Sequence, residues 1–366
     1  MHSDILLVIV IVGALAFDFT NGFHDTASVV ASSISTRALS PRAAVVLAAL
    51  LNFAGAFISL KVAATIETGI IDPNKVTETI VFAGLVGAIS WNLITWAYGL
   101  PSSSSHALIG GVVGAMLAAV GGSGVKPGAL VSKVIAPAVV APVLAFIVAG
   151  IAITVIYRLV GRRRPGPVTR AFRAGQILSG SLLALSHGTN DAQKTMGVIS
   201  LALVAHGSIS SEHFHVPSWV VISAAVAIAL GTYAGGWRII RTVGTRIISM
   251  DPAQGFACQG AGAAVVLVST HFGYPLSSTH VISGSVMGAG AATRLSAVRW
   301  GVAGNIATAW VLTLPAAALV GAVAYWLEQA LGAGMMGPLV ISVAALFLLA
   351  RALVAHRSRI AQAARA

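Results

Sequence analysis

Long apolar runs constrain this chain more than any other feature of its sequence. They cover residues 43–60, 79–100, 131–157, 216–236, 312–325 and 338–353. Each approaches or exceeds the roughly 20 residues that an α-helix needs to cross the hydrocarbon of a bilayer. Of 366 residues, 57% are hydrophobic and 9% are charged, too few polar groups to cover a water-soluble globule of this size. The sequence therefore predicts a helical protein that crosses a membrane many times.

The net charge of +12 does not indicate a nucleic-acid partner, because the basic residues lie mainly at the ends of the apolar runs. This distribution is typical of the excess of lysine and arginine in cytoplasmic loops. The densest basic stretch lies between Arg158 and Arg173, and a second one begins at Arg351. We expect both to face the cytoplasm, in a multi-pass protein of the cell membrane of the bacterial inner-membrane type.

Two polar motifs occur twice, in the same order. Residues 22–25 read GFHD and residues 188–191 read GTND, an offset of 166. Residues 101–106 read PSSSSH and residues 275–280 read PLSSTH, an offset of 174. One match within alanine- and glycine-rich sequence arises easily by chance, but a coupled pair of rare polar motifs does not. The chain is therefore predicted to consist of two repeats.

The repeats predict the domain organisation. We place a first repeat at residues 1–160, a basic central loop at 161–170, a second repeat at 171–355 and a basic C-terminal tail at 356–366. Repeats with helix-breaking motifs at corresponding positions are typical of secondary transporters, whose sites form where discontinuous helices meet. The predicted fold is an all-α polytopic membrane protein with about 10 to 12 membrane segments. The stretches after Pro101 and Pro275 are either full spans or arms of re-entrant hairpins.

Aspartates in apolar surroundings are the first candidate site residues. An ionised side chain at the centre of a membrane helix costs about 2.5–3.5 kcal/mol on insertion scales. The glycines before Asp25 and Asp191 predict that each helix unwinds there and exposes carbonyl oxygens, which suit a hard monovalent cation. The predicted coupling-ion residues are Asn21, His24, Asp25, Asn190 and Asp191. The structural alternative, for Asp18 as well, is a hydrogen bond between helices.

The serine motifs are candidates for binding an anion. A helix that begins just after each motif presents free N–H groups and a positive dipole end, where oxyanions bind. Hydroxyl groups add donors without a permanent charge and so permit release. The predicted substrate-binding residues are Ser103, Ser104, Ser105, Ser277, Ser278, Thr279, Asp25 and Asp191. The structural alternative is that the serines merely cap their helices and the prolines merely start them.

Basic side chains accompany these motifs. Lys194 follows Asp191 by three residues, so on a helix it either pairs with that aspartate or contacts the anion. Imidazole groups can relay protons near neutral pH, and the alternative for each is a structural hydrogen bond. The histidines in question are His24, His106, His187 and His280. The single cysteine, Cys258, provides neither a disulfide framework nor a thiolate metal site, and no metal ligands are predicted.

The sequence does not indicate an enzyme or a resident cofactor. It contains no GxxxxGK[ST] or HExxH pattern. A remote alternative is an intramembrane hydrolase with Ser104 or Ser278 as nucleophile beside a histidine. The motif is duplicated, however, and lacks the strained GxSxG turn of such nucleophiles. A receptor or scaffold would need a substantial soluble domain or long recognition loops, which this sequence does not contain.

The four motifs together resemble the PiT family of inorganic phosphate transporters, over nearly the whole chain. The repeated signature of that family resembles GANDVAN, and both copies here keep its glycine and aspartate within GFHDTA and GTNDA. His24 stands where the first copy usually has asparagine. Ser28 and Lys194 occupy the later asparagine position in the two copies. These departures bear on which cation is bound.

The resemblance implies two inverted helical repeats, a homodimer, and phosphate held between the aspartate and serine motifs. It also implies ion-coupled symport, with sodium in some members and protons in many bacterial ones, often with metal–phosphate complexes. Because of His24 we expect H⁺ rather than Na⁺ as the coupling cation, and a divalent metal as cargo with phosphate. The alternative is a sulfate or other oxyanion permease of the same fold, since hydroxyl groups and helix N-termini do not distinguish the two anions.

Overall fold

The fold is almost entirely helical in the computed structural model, which describes residues 2–210, 215–332 and 334–345. No strand is present among them, and a single isolated bridge joins Ile71 to Val125. The helices are α1 (His2–Ser35), α2 (Pro41–Gly55), α3 (Lys61–Gly69), α4 (Glu78–Tyr98), α5 (Ser104–Val120), α6 (Pro127–Leu130), α7 (Ala136–Val160), α8 (Pro165–His206), α9 (Ser218–Ala234), α10 (Trp237–Arg241), α11 (Pro252–His271), α12 (Ser278–Thr293) and α13 (Trp300–Leu331). The predicted all-α class is confirmed.

Several helices are long and apolar enough to span a bilayer. Five stretches of the described chain meet that criterion, namely Asp4–Ser35, Glu78–Tyr98, Ser104–Gly124, Pro127–Val160 and Trp300–Leu331. A sixth arises if Ser218–Ala234 and Trp237–Arg246, which meet at a 59° bend, form one broken span. The predicted number of 10 to 12 is larger because it also counts shorter or more polar helices, such as α2 and α8. The protein is a multi-pass membrane protein.

The helices α1 and α8, which carry the repeated aspartate motif, run antiparallel. Thr36 at the end of α1 donates a hydrogen bond to Gln176 near the start of α8 at 2.6 Å. Farther back along α1, Asp25 lies beside Asp191, and Asp18 lies beside Thr195. Contacts that move backward along one helix therefore move forward along the other. Because equivalent helices run in opposite directions, the two repeats are inverted with respect to each other.

The repeats are interlocked rather than side by side. Helix α1 packs against α9 and α8 against α2, while α5 packs against α13 and α12 against α7. Equivalent glycines permit equivalent crossings: a Cβ on Gly114 would lie 1.9 Å from Ala318 O, and one on Gly288 would lie 2.0 Å from Phe146 O. Such close backbone approach is the usual role of small residues between membrane helices. Each repeat thus completes its packing with helices of the other.

The predicted unwinding at Gly22 and Gly188 is wrong, because α1 and α8 continue without a break through both motifs. The two glycines instead allow another helix to pack closely against α1 or α8. A Cβ on Gly22 would lie 2.4 Å from Ile228 O, and one on Gly188 would lie 2.2 Å from Asn52 O. The discontinuities fall at the serine motifs, between α4 and α5 and between α11 and α12. Helical geometry leaves the carbonyls of α1 and α8 bonded within the helix, so the carboxylates must act without them.

The connection between the repeats is short. Helix α7 ends at Val160 and α8 begins at Pro165, so the stretch 161–170, predicted as a loop, contains the first residues of α8. Pro165 suits this position because the first helical residue needs no N–H. The predicted tail at 356–366 and the basic stretch from Arg351 lie outside the described residues.

Candidate functional site

The serine motifs start two helices whose N-termini converge. Ser103 caps α5 by accepting a hydrogen bond from the His106 N–H at 3.1 Å, and Ser277 caps α12 in the same way. The His106 and His280 rings lie 4.9 Å apart, and the Ser105 hydroxyl donates to the carbonyl of Leu276 at 3.1 Å. Two helix N-termini, each with N–H groups that have no partner within the helix, are thereby brought to one place.

Asp25, on α1, receives donors from both serine motifs. The Ser104 hydroxyl donates to Oδ2 at 2.6 Å, and the Thr279 hydroxyl donates to Oδ1 at 2.9 Å. The Nδ1 atom of His24 also lies 2.9 Å from Oδ1. Ser104 further contacts Asn21 Oδ1 at 2.6 Å. One carboxylate thus collects the hydroxyl groups of α5 and α12, which belong to different repeats.

Asp191, its equivalent on α8, has a cationic partner as well. Lys194 Nζ lies 2.5 Å from Oδ1, and His187 Nε2 lies 3.1 Å from Oδ2. The Ser278 hydroxyl faces Oδ2 at 3.4 Å. Asp191 is 0% exposed and Lys194 is 1% exposed. The second repeat therefore holds a fully buried ion pair where the first holds a histidine–aspartate contact.

The side chain of His24 is part of a chain of hydrogen bonds. Its Nε2 atom lies 3.1 Å from the Thr95 hydroxyl and 3.3 Å from that of Ser102, and Ser102 donates to Thr95 at 2.8 Å. Through Nδ1 the same ring reaches Asp25. The imidazole thus links the aspartate to hydroxyl groups at the break between α4 and α5, an arrangement that can pass a proton.

The predicted site residues fall into three groups. Eight of them lie in two hydrogen-bonded sets, one around Asp25 and one around Asp191, whose carboxylate oxygens come within 4.8 Å of each other. The members of this cluster are Asn21, His24, Asp25, Ser104, Ser105, Asp191, Ser278 and Thr279. The side chains of Ser103 and Ser277 serve as helix caps. Asn190 donates to Thr270 at 2.8 Å and to the Tyr274 carbonyl at 3.2 Å. Its amide nitrogen therefore braces α8 against α11, while its Oδ1 has no hydrogen-bond partner among the described residues.

His187, which the sequence offers as a proton-relay or a structural histidine but not as a coupling-ion ligand, lies in the cluster. Its Nδ1 contacts Asn52 Oδ1 at 3.1 Å while Nε2 faces Asp191. Ligand atoms of Asp25, His187 and Asp191 all lie within 4.8 Å of one another. Carboxylate oxygen and imidazole nitrogen together suit divalent transition metals. The one sequence signal was its position one turn before Asp191.

Asp18 is a further buried carboxyl group beside the cluster. It is fully buried on α1, and the Thr195 hydroxyl of α8 and the Asn21 side chain lie beside its carboxyl group. Its position in the second repeat is taken by Ala184. For the predicted alternative, a helix–helix hydrogen bond, Thr195 on α8 is the candidate partner.

The cluster is closed in this conformation. Its carboxylates, hydroxyls, imidazoles and ammonium group are at most a few per cent exposed. The hydroxyl groups of Ser104, Ser278 and Thr279, which an oxyanion would need, point at carboxylates. An incoming anion must therefore compete with the two aspartates for the same donors.

Comparisons with known proteins agree on one family. The model of the phosphate transporter family matches residues 21–169 and again 162–321. A Mycobacterium tuberculosis protein named "Probable low-affinity inorganic phosphate transporter" is 57% identical over 327 residues, which cover 89% of this chain and 78% of that protein. A Bacillus subtilis protein of the same name is 42% identical over 88% of this chain and 97% of its own.

A solved structure is similar to the whole fold. It is titled "The sodium-dependent phosphate transporter" and superposes with a TM-score of 0.82 at 25% sequence identity. The superposition covers 89% of this chain and 99% of that one. The double match of the family model follows the two repeats seen in the fold.

Proposed function

Since the chain belongs to the phosphate transporter family, we propose that it is a secondary active symporter that moves inorganic phosphate across the cell membrane together with protons. The family and the relatives are transporters and not enzymes. The polytopic fold and the polar cluster buried between inverted repeats fit alternating access around a central site.

One observation carries the proposal: the donors suited to phosphate are shared with the two aspartates. Ser104 and Thr279 donate to Asp25, and Ser278 faces Asp191. While Asp25 is anionic it holds these hydroxyls and repels a phosphate anion. A cation on Asp25 weakens both effects, because it removes the negative charge and lowers the demand for donors. Cation and phosphate then bind together more favourably than either binds alone.

The proton is our choice of coupling cation because the His24 ring lies in direct contact with the Asp25 carboxylate. Its ring contacts the carboxylate on one side and the Thr95 and Ser102 hydroxyls on the other. A protonated imidazole would neutralise Asp25 at the distance already present, and the hydroxyl chain gives a route for exchange. Sodium is the second candidate, since the solved relative is titled sodium-dependent.

Two further parts of the proposal concern cargo and assembly. The convergence of Asp25, His187 and Asp191 within 4.8 Å supports binding of a divalent cation that travels with phosphate as a metal–phosphate complex. The metal is cargo in this scheme and no resident cofactor is required. We also propose the homodimer that the family resemblance implies, which chemical cross-linking in native membranes can test.

The rival anion is sulfate, whose shape and hydrogen-bond needs are close to those of phosphate. Phosphate near neutral pH carries protons that can donate to Asp25 or Asp191, whereas sulfate is a pure acceptor. Unprotonated carboxylates at the site therefore favour phosphate. The hydrolase alternative fails at Ser104, whose hydroxyl donates to Asp25 and Asn21 rather than to a histidine.

The test is radiolabelled phosphate uptake into proteoliposomes of the purified protein. A proton gradient and a sodium gradient are imposed separately, each with and without excess sulfate. Proton-driven accumulation that sulfate does not inhibit is the expected result. Accumulation driven by sodium alone would identify Na⁺ as the coupling ion in place of H⁺. Strong inhibition by sulfate would show that the site does not distinguish phosphate from sulfate. No accumulation under either gradient would overturn the proposed function.

A further inference from the structure

The ammonium group of Lys194 is held entirely by protein oxygen atoms. It lies 2.5 Å from Asp191 Oδ1, 2.5 Å from Ser105 Oγ and 2.8 Å from the carbonyl oxygen of Leu276. A lysine ammonium has three N–H donors, and each of them is used by one of these contacts. None is left for an anion, so of the two sequence interpretations of Lys194 the ion pair is the one that the geometry supports.

These three oxygens have the composition of a site for a monovalent cation. A carboxylate comes from α8, a hydroxyl from the first turn of α5, and a backbone carbonyl from the non-helical segment before α12. Carboxylates and free carbonyls at breaks in membrane helices are the ligands that hold coupling ions in transporters with inverted repeats. Lys194 therefore occupies the centre of a cation site with its own side chain.

The first repeat has the corresponding oxygens without the lysine. By the offsets of 166 and 174 the counterparts of the three ligand residues are Asp25, Thr279 and Ser102. Thr279 donates to Asp25 at 2.9 Å. The counterpart of Lys194 is Ser28, whose hydroxyl lies 3.3 Å from that of Thr279 and brings no charge. His24, in direct contact with Asp25, can supply an exchangeable positive charge there.

We propose that the Lys194 ammonium is a fixed internal cation, which fills in the second repeat the site that an exchangeable cation occupies in the first. The pair of pseudo-symmetric sites is then functionally asymmetric, with one permanent and one variable charge. Each transport cycle carries one cation fewer than two equivalent open sites would carry. This inference rests on the proposed function for its meaning in transport, but the occupancy of the site can be measured without phosphate.

The experiment replaces Lys194 by asparagine, which shortens the side chain and leaves the Asp191, Ser105 and Leu276 oxygens in place. Thermal unfolding of the purified protein is followed in detergent, without phosphate, against sodium chloride and against choline chloride as the control salt. We expect Lys194→Asn to gain a saturable, sodium-specific rise in unfolding temperature beyond any shift of the wild type. Lys133→Asn, outside the site, should respond as the wild type does. A folded Lys194→Asn with the wild-type salt response would overturn the proposal.

The converse variant keeps the proposal testable if Lys194→Asn does not fold. Ser28→Lys places an ammonium beside Asp25 and Thr279, in the open site. We expect this variant to fold and to lose gradient-driven phosphate accumulation, because the exchangeable cation is displaced. Wild-type accumulation by folded Ser28→Lys would overturn the proposal. Failure of the proposed function shows itself differently, as absence of phosphate uptake by the wild type with the sodium response of Lys194→Asn intact.

Discussion

The Ser104 hydroxyl lies 2.6 Å from the Asp25 carboxylate, and this contact joins the two repeated motifs into one site. Ser104 begins α5, whereas Asp25 lies in the middle of α1. Both groups are buried, so the hydrogen bond forms in a medium of low dielectric, where it is stronger than at a surface. Any anion that takes the Ser104 donor must release it from Asp25.

Removal of this donor should weaken phosphate binding. In Ser104→Ala, phosphate loses one hydroxyl donor, and hydrogen bonds to charged groups contribute about 1.5–3 kcal/mol. We expect the apparent KM for phosphate uptake to rise roughly 10- to 100-fold. The matched control is Ser283→Ala on α12, whose buried hydroxyl has no partner in the described chain. Equal KM values for the two variants would show that Ser104 does not donate to phosphate.

The two equivalent aspartates should differ in what their loss does to stability. Asp25→Asn and Asp191→Asn should each abolish uptake. Asp191→Asn also leaves the buried Lys194 ammonium without its carboxylate, and an unpaired buried charge costs about 3–5 kcal/mol. Asp25→Asn leaves no such charge behind. Thermal unfolding in detergent should therefore show a large loss only for Asp191→Asn, and wild-type uptake by either variant would contradict the proposed coupling.

His24 should be needed for coupling more than for binding. In His24→Gln the amide can still donate to Asp25, but it cannot exchange protons. We expect accumulation driven by a proton gradient to be lost, while exchange of labelled for unlabelled phosphate across equilibrated membranes continues. The control is His206→Gln, at the end of α8 and away from the cluster. If His24→Gln still accumulates phosphate in response to a proton gradient, the proton does not pass through this imidazole.

The class of fold and most of the site follow from the sequence, because both leave local signals. Apolar runs of spanning length and the duplicated motifs identify a membrane protein of two repeats, and Asp25, Ser104 and Thr279 were found from the motifs alone. Asn190 belongs to a motif but contacts Thr270 and Tyr274, which no local pattern reveals. His187 lies outside the signature and faces Asp191 because the two residues are one turn apart on α8.

The glycines of the aspartate motifs show where a local rule misleads. In sequence, glycine beside an intramembrane aspartate suggests an unwound helix. In the structure the helix is continuous, and the glycine permits another helix to approach. The two roles have the same residue requirement, so only the tertiary packing distinguishes them. The breaks instead follow proline and serine, which favour helix starts.

This close packing gives a prediction for Gly188. A Cβ there would lie 2.2 Å from Asn52 O on α2, a contact that real side chains do not make, and backbone atoms cannot yield as a flexible side chain does. Overpacking of this kind costs about 1–3 kcal/mol or more. It would also separate α8 from α2 next to Asp191 and His187. Gly188→Ala should therefore lower both the unfolding temperature and phosphate uptake.

The control for that change is Gly260→Ala on α11, because nothing lies within 4 Å of the Cβ that it adds. Alanine is the better helix former by about 1 kcal/mol, so this variant should be as stable as the wild type or slightly more so, with unchanged uptake. Comparison of the two separates backbone contact from helix propensity. If Gly188→Ala also matched the wild type in stability, α2 and α8 would have to cross farther apart than in this structure, and the buried position of His187 between them would be in doubt.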